Sequence, residues 1–198
     1  MFIQENRKEL FNELYELAYT CGMPLKNHLD ISIKKGIMLA DIYKANKVIV
    51  LFGILLMDIK LGEAIKNNKI TEHTKMSSDF AKEFLEKSDF SNLEKEKIIN
   101  CVEAHHGKIP YTCIEAEICA NADCYRFIHP VGVFTYAFSL AKRTDDYIER
   151  IKNLKYKLNE KYNILSLPKA KEELKEYYEM YLKQFNEILN YMDLDNEN

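Results

Sequence analysis

The chain has 198 residues, of which 47% are hydrophobic and 30% charged, and its formal net charge is -3. This length supports one domain with a sizeable core. Because the chain has only 6 Gly and 4 Pro, the composition favours helices over a turn-rich β architecture. The weak negative charge offers no broad attraction for a polyanion or an anionic lipid surface, so we expect neither duplex nucleic acid nor a membrane as partner.

The five cysteines are odd in number and include no C-x-x-C pair, so neither a disulfide framework nor a thiolate zinc site is expected. The N-terminal segment carries charges where a secretory signal would be apolar. The longest apolar run, residues 48–57, is too short to cross a bilayer. These features predict a cytoplasmic protein.

Apolar residues recur at helical spacing almost throughout and predict eight or nine helices. The first covers residues 4–20 and ends at a break before Pro24, and the second covers residues 25–43. The third covers residues 47–66 and opens with VIVLFGILLM, which is apolar on all sides and therefore typical of a helix in the middle of a bundle. Asp58 ends this apolar run.

Capping patterns predict where the next helices begin. A fourth helix begins near His73, and a fifth begins at a capping box formed by Ser91 and Glu94 and ends near residues 105–107.

Thr112 and Glu115 repeat the capping pattern, so a sixth helix should run from Ile114 to Phe127 and stop before Pro130. His129, just before that proline, is expected to lie in a turn.

The tail from about residue 145 is also helical, with an interruption near residues 166–168. We therefore divide the chain into a helical domain, residues 1–144, and a helical C-terminal extension, residues 145–198. On the last helix, apolar residues alternate steps of four and three, which suits packing against the same domain or in a homodimer. These residues are Leu174, Tyr178, Tyr181, Phe185, Ile188 and Met192.

Four of the five histidines form an ordered series with two aspartates. The series is His28, Asp58, His73, His105, His106 and Asp123. Imidazole and carboxylate groups suit divalent ions, and helices that converge in a bundle can supply such ligands. A single histidine is more often a surface or satisfied core residue than a ligand, but the order of the whole series favours a metal site.

This order resembles the HD-domain metal-dependent phosphohydrolases, which have a His on one helix, a His-Asp pair after an apolar helix, and a distal Asp. His28 matches the first His, Asp58 the Asp of the pair, and Asp123, in AEICANADCYRF, the distal Asp. The resemblance covers about residues 25–128. It implies an all-α, HD-domain-like multi-helix bundle.

Family members with two metals carry further histidines, which His73 in TEHTKMSSDFAKEFL and His105 and His106 in IINCVEAHHG match. Asp58 would then bridge to a second ion held by these histidines. An alternative for His106 is a helix C-terminal histidine followed by a left-handed turn at Gly107.

The chain departs from the family pattern at Met57, which stands where the pair should supply its His. A thioether is a poor replacement for imidazole on iron, manganese or magnesium, so we assign no ligand role to Met57. His28, Asp58 and Asp123 would still leave a three-ligand site completed by water. The resemblance implies one or two divalent ions per chain, from among Fe, Mn, Zn, Co, Ni and Mg.

The implied activity is hydrolysis of a phosphate ester, in a nucleotide or related small molecule. Asp58 would anchor the metal, while His105 or His106 would contact the phosphate or move a proton. Lys60 stands one position short of the lysine in HD-I-G-K members, and would assist catalysis and bind the substrate phosphate.

Lys108 and Arg126 are further candidates for binding the substrate, and Arg126 shares a helical face with Asp123. The alternative to an enzyme is a degenerate HD fold that binds a nucleotide or a protein partner without catalysis. A helical dimerisation module is compatible with either.

Overall fold

The computed structural model describes residues 3–21 and 23–194, and the side chains among them up to Met192. Met1, Phe2, Gly22 of the predicted break before Pro24, and residues 195–198 of the predicted extension lie outside the described residues. The described part forms ten α-helices and a short 3-10 turn at Ile70–Glu72, with no strand, which confirms the predicted all-α class. The helices are α1 (Glu5–Thr20), α2 (Lys26–Ile42), α3 (Lys47–Met57), α4 (Leu61–Lys66), α5 (His73–Glu86), α6 (Asn92–Ala104), α7 (Ile114–Ile128), α8 (Pro130–Leu140), α9 (Tyr147–Ile164) and α10 (Pro168–Leu194).

Helix α7 lies at the centre and packs against α2, α3, α6, α8, α9 and α10. Every residue from 118 to 126 is buried, so this helix has no solvent-facing side over two and a half turns. Three of these residues are polar or charged: Asn121, Asp123 and Arg126. Buried polar groups require partners, and the partners of Asp123 and Arg126 define the candidate site described below.

Helix α3 is shorter than predicted. Asn46 caps it by accepting hydrogen bonds from the backbone N–H groups of Val48 and Ile49, and all nine residues from Ile49 to Met57 are buried. The helix ends at Met57, because the φ of -123° and ψ of 18° at Asp58 are not helical, and the next helix, α4, begins at Leu61. The prediction of one helix over residues 47–66 was wrong because the sequence after Asp58 has helical periodicity of its own, which hid the break.

The predicted start of α6 is confirmed, since the Ser91 and Glu94 side chains form the reciprocal capping box. The helix is followed by Gly107, whose φ of +69° lies in the left-handed region that favours glycine.

The capping box predicted for the next helix was wrong. Cys113, not Thr112, is the N-cap of α7, and its side chain makes no capping hydrogen bond. Glu115 instead accepts a hydrogen bond from the backbone N–H of Asn46 at 3.1 Å, which ties the starts of α3 and α7 together.

Helix α8 was not predicted, because Pro130 was interpreted only as a stop signal. Pro130 is in fact the first helical residue, where a missing N–H costs nothing, and His129 caps the helix by accepting from the backbone N–H of Val131. Helix α8 approaches α7 closely: a Cβ on Gly132 would lie 2.4 Å from the backbone of Arg126. Only glycine permits this contact.

Helices α9 and α10 bury Leu154, Leu158, Leu174 and Phe185 in the same core as α2, α3 and α7. Along the last helix, Tyr178 stacks on Tyr162 of α9 with ring centroids 3.6 Å apart. Among the described helices, none combines the length and apolar character that a membrane span requires.

Candidate metal centre

Four of the predicted site residues come together where three chain segments meet. Asp58 follows α3, His73 begins α5, and His105 and His106 directly follow α6. One ligand atom from each lies within 4.8 Å of the others. Within residues 3–21 and 23–194, this is the one cluster of such residues that could hold a metal ion.

The distances in this cluster suit ligands of one ion. Nε2 of His73 lies 3.4 Å from Oδ1 of Asp58, and Nε2 of His105 lies 3.6 Å from the same oxygen. Two ligand atoms bound to one ion at about 2.1 Å are themselves separated by about 3.0–3.5 Å. The cluster therefore needs little rearrangement to hold an ion.

Backbone carbonyls orient two of the imidazoles. Nδ1 of His73 donates to the carbonyl of Ile70 at 2.6 Å, and Nδ1 of His105 donates to the carbonyl of Val102 at 2.7 Å. Because a carbonyl can only accept, the hydrogen of each neutral ring is on Nδ1 and the lone pair on Nε2, the usual arrangement of metal-binding histidine. Nε2 of His105 is buried and has no hydrogen-bond partner among the described residues. These residues fit a divalent ion.

His106 differs from its neighbours. Its Nδ1 lies 3.2 Å from Nζ of Lys161, and its Nε2 lies 3.0 Å from Nε2 of His73. Since an ammonium group can only donate, Nδ1 of His106 accepts, and the neutral ring carries its hydrogen on Nε2. Burial lowers the pKa of His106 well below its ordinary value, and the positive charge of Lys161 adds to this effect, so the ring is neutral.

The rest of the predicted site, around Asp58 and Asp123, consists of ion pairs. We call this part the acidic half of the site and the cluster of Asp58 with the histidines the histidine half. Nη1 of Arg126 lies 2.5 Å from Oδ2 of Asp58 and 2.8 Å from Oδ1 of Asp123. Nζ of Lys161, on α9, lies 2.5 Å from Oδ2 of Asp123. All four side chains are buried. Burial alone would raise the pKa of Asp123, but Lys161 and Arg126 outweigh it and hold this pKa below its ordinary value.

The structure does not place His28 in the histidine cluster. Its Nε2 lies 3.0 Å from the carbonyl oxygen of Gly132 and donates to it. Burial lowers the pKa of His28 to about 4, so its ring is neutral and has one N–H, which this carbonyl uses. Asp123, the other predicted ligand outside the cluster, is engaged by the two basic side chains. Met57 is buried at the end of α3.

The three predicted phosphate-binding residues lie in different environments. Lys60 is partly exposed and pairs with Glu63 at 2.8 Å, and its amine lies over the ring of Phe80. Lys108 is exposed after α6. Arg126 is buried in the ion pairs with Asp58 and Asp123, so its Nη1 is already engaged.

The sequence analysis did not identify Lys161, the residue of α9 that pairs with Asp123 in the acidic half. A signal was present, because Lys161 continues an apolar stripe on α9 whose steps alternate three and four. The stripe consists of Ile151, Leu154, Leu158, Lys161 and Leu165, all of them buried. A lysine in such a stripe requires a buried acidic partner.

Among solved structures, the chain is similar to the crystal structure of a predicted HD superfamily hydrolase from an uncultured Thermotogales bacterium. The TM-score is 0.60, and the match covers 89% of each chain at 16% sequence identity. The chain has the HD-domain fold. The resemblance drawn from the ordered His and Asp residues is therefore confirmed for the fold.

Curated relatives of this HD-fold chain include two proteins named ribonuclease Y. The one from Finegoldia magna is 32% identical over 130 residues, which is 66% of this chain, and the one from Treponema denticola is 29% identical over 151 residues, or 76% of it. The matches cover only 22% and 26% of those relatives, so the chain spans about a quarter of their length. No family model matches the chain.

Proposed function

We propose that this HD-fold chain is a metal-dependent phosphohydrolase whose metal centre is the cluster around Asp58, His73 and His105. The observation that carries the proposal is the buried Nε2 of His105, which faces Asp58 and has no other partner among the described residues. The HD superfamily hydrolase fold and the similarity to the ribonucleases Y support hydrolysis of a phosphate ester as the reaction class.

A divalent ion held by Asp58, His73 and His105 would supply Lewis acidity, the chemistry by which metal ions make water nucleophilic and a phosphate ester reactive. Asp58 offers Oδ1 to the cluster, while Arg126 holds its Oδ2 and so fixes the carboxylate. The carbonyls behind His73 and His105 fix the two rings. His106 presents an N–H towards Nε2 of His73, and if that nitrogen binds the ion, this N–H would be free to donate a hydrogen bond to a substrate phosphate.

The substrate we propose is a nucleotide or a related small phosphate ester. Lys60 follows Asp58 by two residues, and its partly exposed amine can exchange Glu63 for a substrate phosphate. Lys108, exposed two residues after His106, would assist. Because two relatives are named as ribonucleases, short single-stranded RNA belongs among the substrates to test.

A second candidate is a degenerate HD fold that binds a nucleotide or a protein partner without turnover. It is favoured by the acidic half of the site, where Arg126 and Lys161 already neutralise Asp58 and Asp123.

The deciding experiment is a hydrolysis screen of the chain loaded with Mn²⁺, Fe²⁺, Co²⁺ or Mg²⁺. Substrates should include phosphomonoesters, dinucleoside polyphosphates, cyclic nucleotides and short RNA. We expect metal-dependent hydrolysis that EDTA abolishes and that His73→Ala lowers by more than about 100-fold, since even partners of metal ligands contribute about 10–100-fold. His129→Ala, a histidine outside the cluster, is the matched control and should retain the rate. Nucleotide binding without hydrolysis under any metal would favour the second candidate.

A further inference from the structure

The two carboxylates of the predicted metal site face each other across basic side chains. Arg126 bridges Asp58 and Asp123 through one nitrogen, and Lys161 pairs with the remaining oxygen of Asp123. Two buried carboxylates this close require a cation between them, because their like charges would otherwise raise the pKa of one of them. In this chain both cations belong to the protein itself.

We propose that Arg126 and Lys161 permanently fill the Asp58–Asp123 half of the site, so that the chain holds a single divalent ion, ligated by Asp58, His73 and His105. This inference rests on the metal centre of the proposed function but not on hydrolysis. The guanidinium of Arg126 and the ammonium of Lys161 would occupy the place that a second ion would otherwise take.

The charge balance supports this assignment. The two carboxylates and the two basic groups are all buried and neutralise one another. A divalent ion added between the carboxylates would leave two excess positive charges in a site without solvent, where uncompensated charge is costly. An ion in the histidine half adds the same charge, but His73 and His106 there are only partly buried, so water and a substrate anion can reach the ion and balance it.

The ligand atoms lead to the same conclusion. Both oxygens of Asp123 are engaged, one by Arg126 and the other by Lys161. His28 is not among the residues whose ligand atoms come together around Asp58, and Met57 offers only a thioether. The histidine half, by contrast, keeps the unpartnered Nε2 of His105.

Lys161 also determines the role of His106. For Nε2 of His106 to bind an ion, the ring hydrogen would have to move to Nδ1, which lies 3.2 Å from the ammonium of Lys161. The N–H at Nδ1 of His106 and the ammonium of Lys161 would then be two donors facing each other without an acceptor. His106 is therefore a hydrogen-bond donor beside the ion and not a ligand.

The test is the metal stoichiometry of the intact chain. Protein stripped with chelator is reloaded with Mn²⁺, dialysed, and measured by mass spectrometry of the metal and by electron paramagnetic resonance. We expect one Mn²⁺ per chain with the spectrum of an isolated ion. His105→Ala should lose the ion, whereas Asp123→Asn and His106→Gln should keep it, as should the control His129→Ala.

Two ions per chain, an exchange-coupled spectrum, or no ion in a folded chain would overturn the proposal. So would loss of the ion in folded Asp123→Asn or His106→Gln, each checked by circular dichroism. If Asp123→Asn does not fold, the stoichiometry and the spectrum of the unmodified chain still decide. A chain that holds one ion but hydrolyses nothing would defeat the proposed function and leave this inference standing.

Discussion

Replacing Lys161 with methionine tests the internal ion pairs, because methionine keeps an unbranched apolar side chain and removes the charge. Lys161 is buried, and its amine lies 2.5 Å from Asp123 and 3.2 Å from His106. Removing one partner of a buried pair typically costs about 3–5 kcal/mol, because the other charge is left uncompensated. Asp123 keeps Arg126 at 2.8 Å, so we expect the lower end, about 3 kcal/mol.

For a domain of this size, a loss of about 3 kcal/mol lowers the melting temperature by about 6–12 °C. The assay is urea and thermal unfolding followed by circular dichroism, in EDTA so that no metal contributes. The matched control is Lys157→Met, one turn earlier on α9, whose partly exposed pair with Glu160 should be worth less than about 1 kcal/mol. If Lys161→Met is as stable as the unmodified chain, the acidic half does not depend on this cation.

Three further variants test other parts of the account. Ser91→Ala removes the confirmed capping box and should lower the free energy of unfolding in urea by about 1 kcal/mol. An unchanged midpoint of the urea transition would contradict the role of this cap. Gly132→Ala places a Cβ 2.4 Å from the backbone of Arg126 and should lower the free energy of unfolding by about 2 kcal/mol, measured by thermal unfolding. An unchanged stability would show that α8 can move away from α7. Met57→His should leave the Mn²⁺ content at one per chain, because Arg126 still lies between the carboxylates of Asp58 and Asp123. A rise to two ions per chain would show that only the missing histidine prevents a second ion from binding.

Much of the fold follows from local signals in the sequence. Apolar periodicity locates the long helices, and the Ser91 capping box fixes the start of α6. The errors occurred where one signal has two meanings. Pro130 can stop a helix or begin one, and the periodicity after Asp58 continues although the backbone turns.

The order of His and Asp residues was sufficient to predict that Asp58, His73, His105 and His106 belong to one site, and the structure brings these four together. It was not sufficient to predict what surrounds them. The direction of the His28 ring depends on a carbonyl in α8, a helix that was not predicted.

The internal cations depend on tertiary packing. Arg126 was considered as a phosphate contact from its spacing to Asp123, but the same spacing allows the ion pair that the structure shows. Lys161 reaches Asp123 only because α9 packs on α7, a contact between residues far apart in the sequence. Its position in an apolar stripe shows that it is buried, but not which carboxylate it meets.

The most direct test of the central claim is anomalous diffraction from crystals of the Mn²⁺-loaded chain. The account predicts one manganese peak at about 2.0–2.2 Å from Oδ1 of Asp58 and from Nε2 of His73 and His105. A peak between Asp58 and Asp123, or no peak at saturating Mn²⁺, would contradict it.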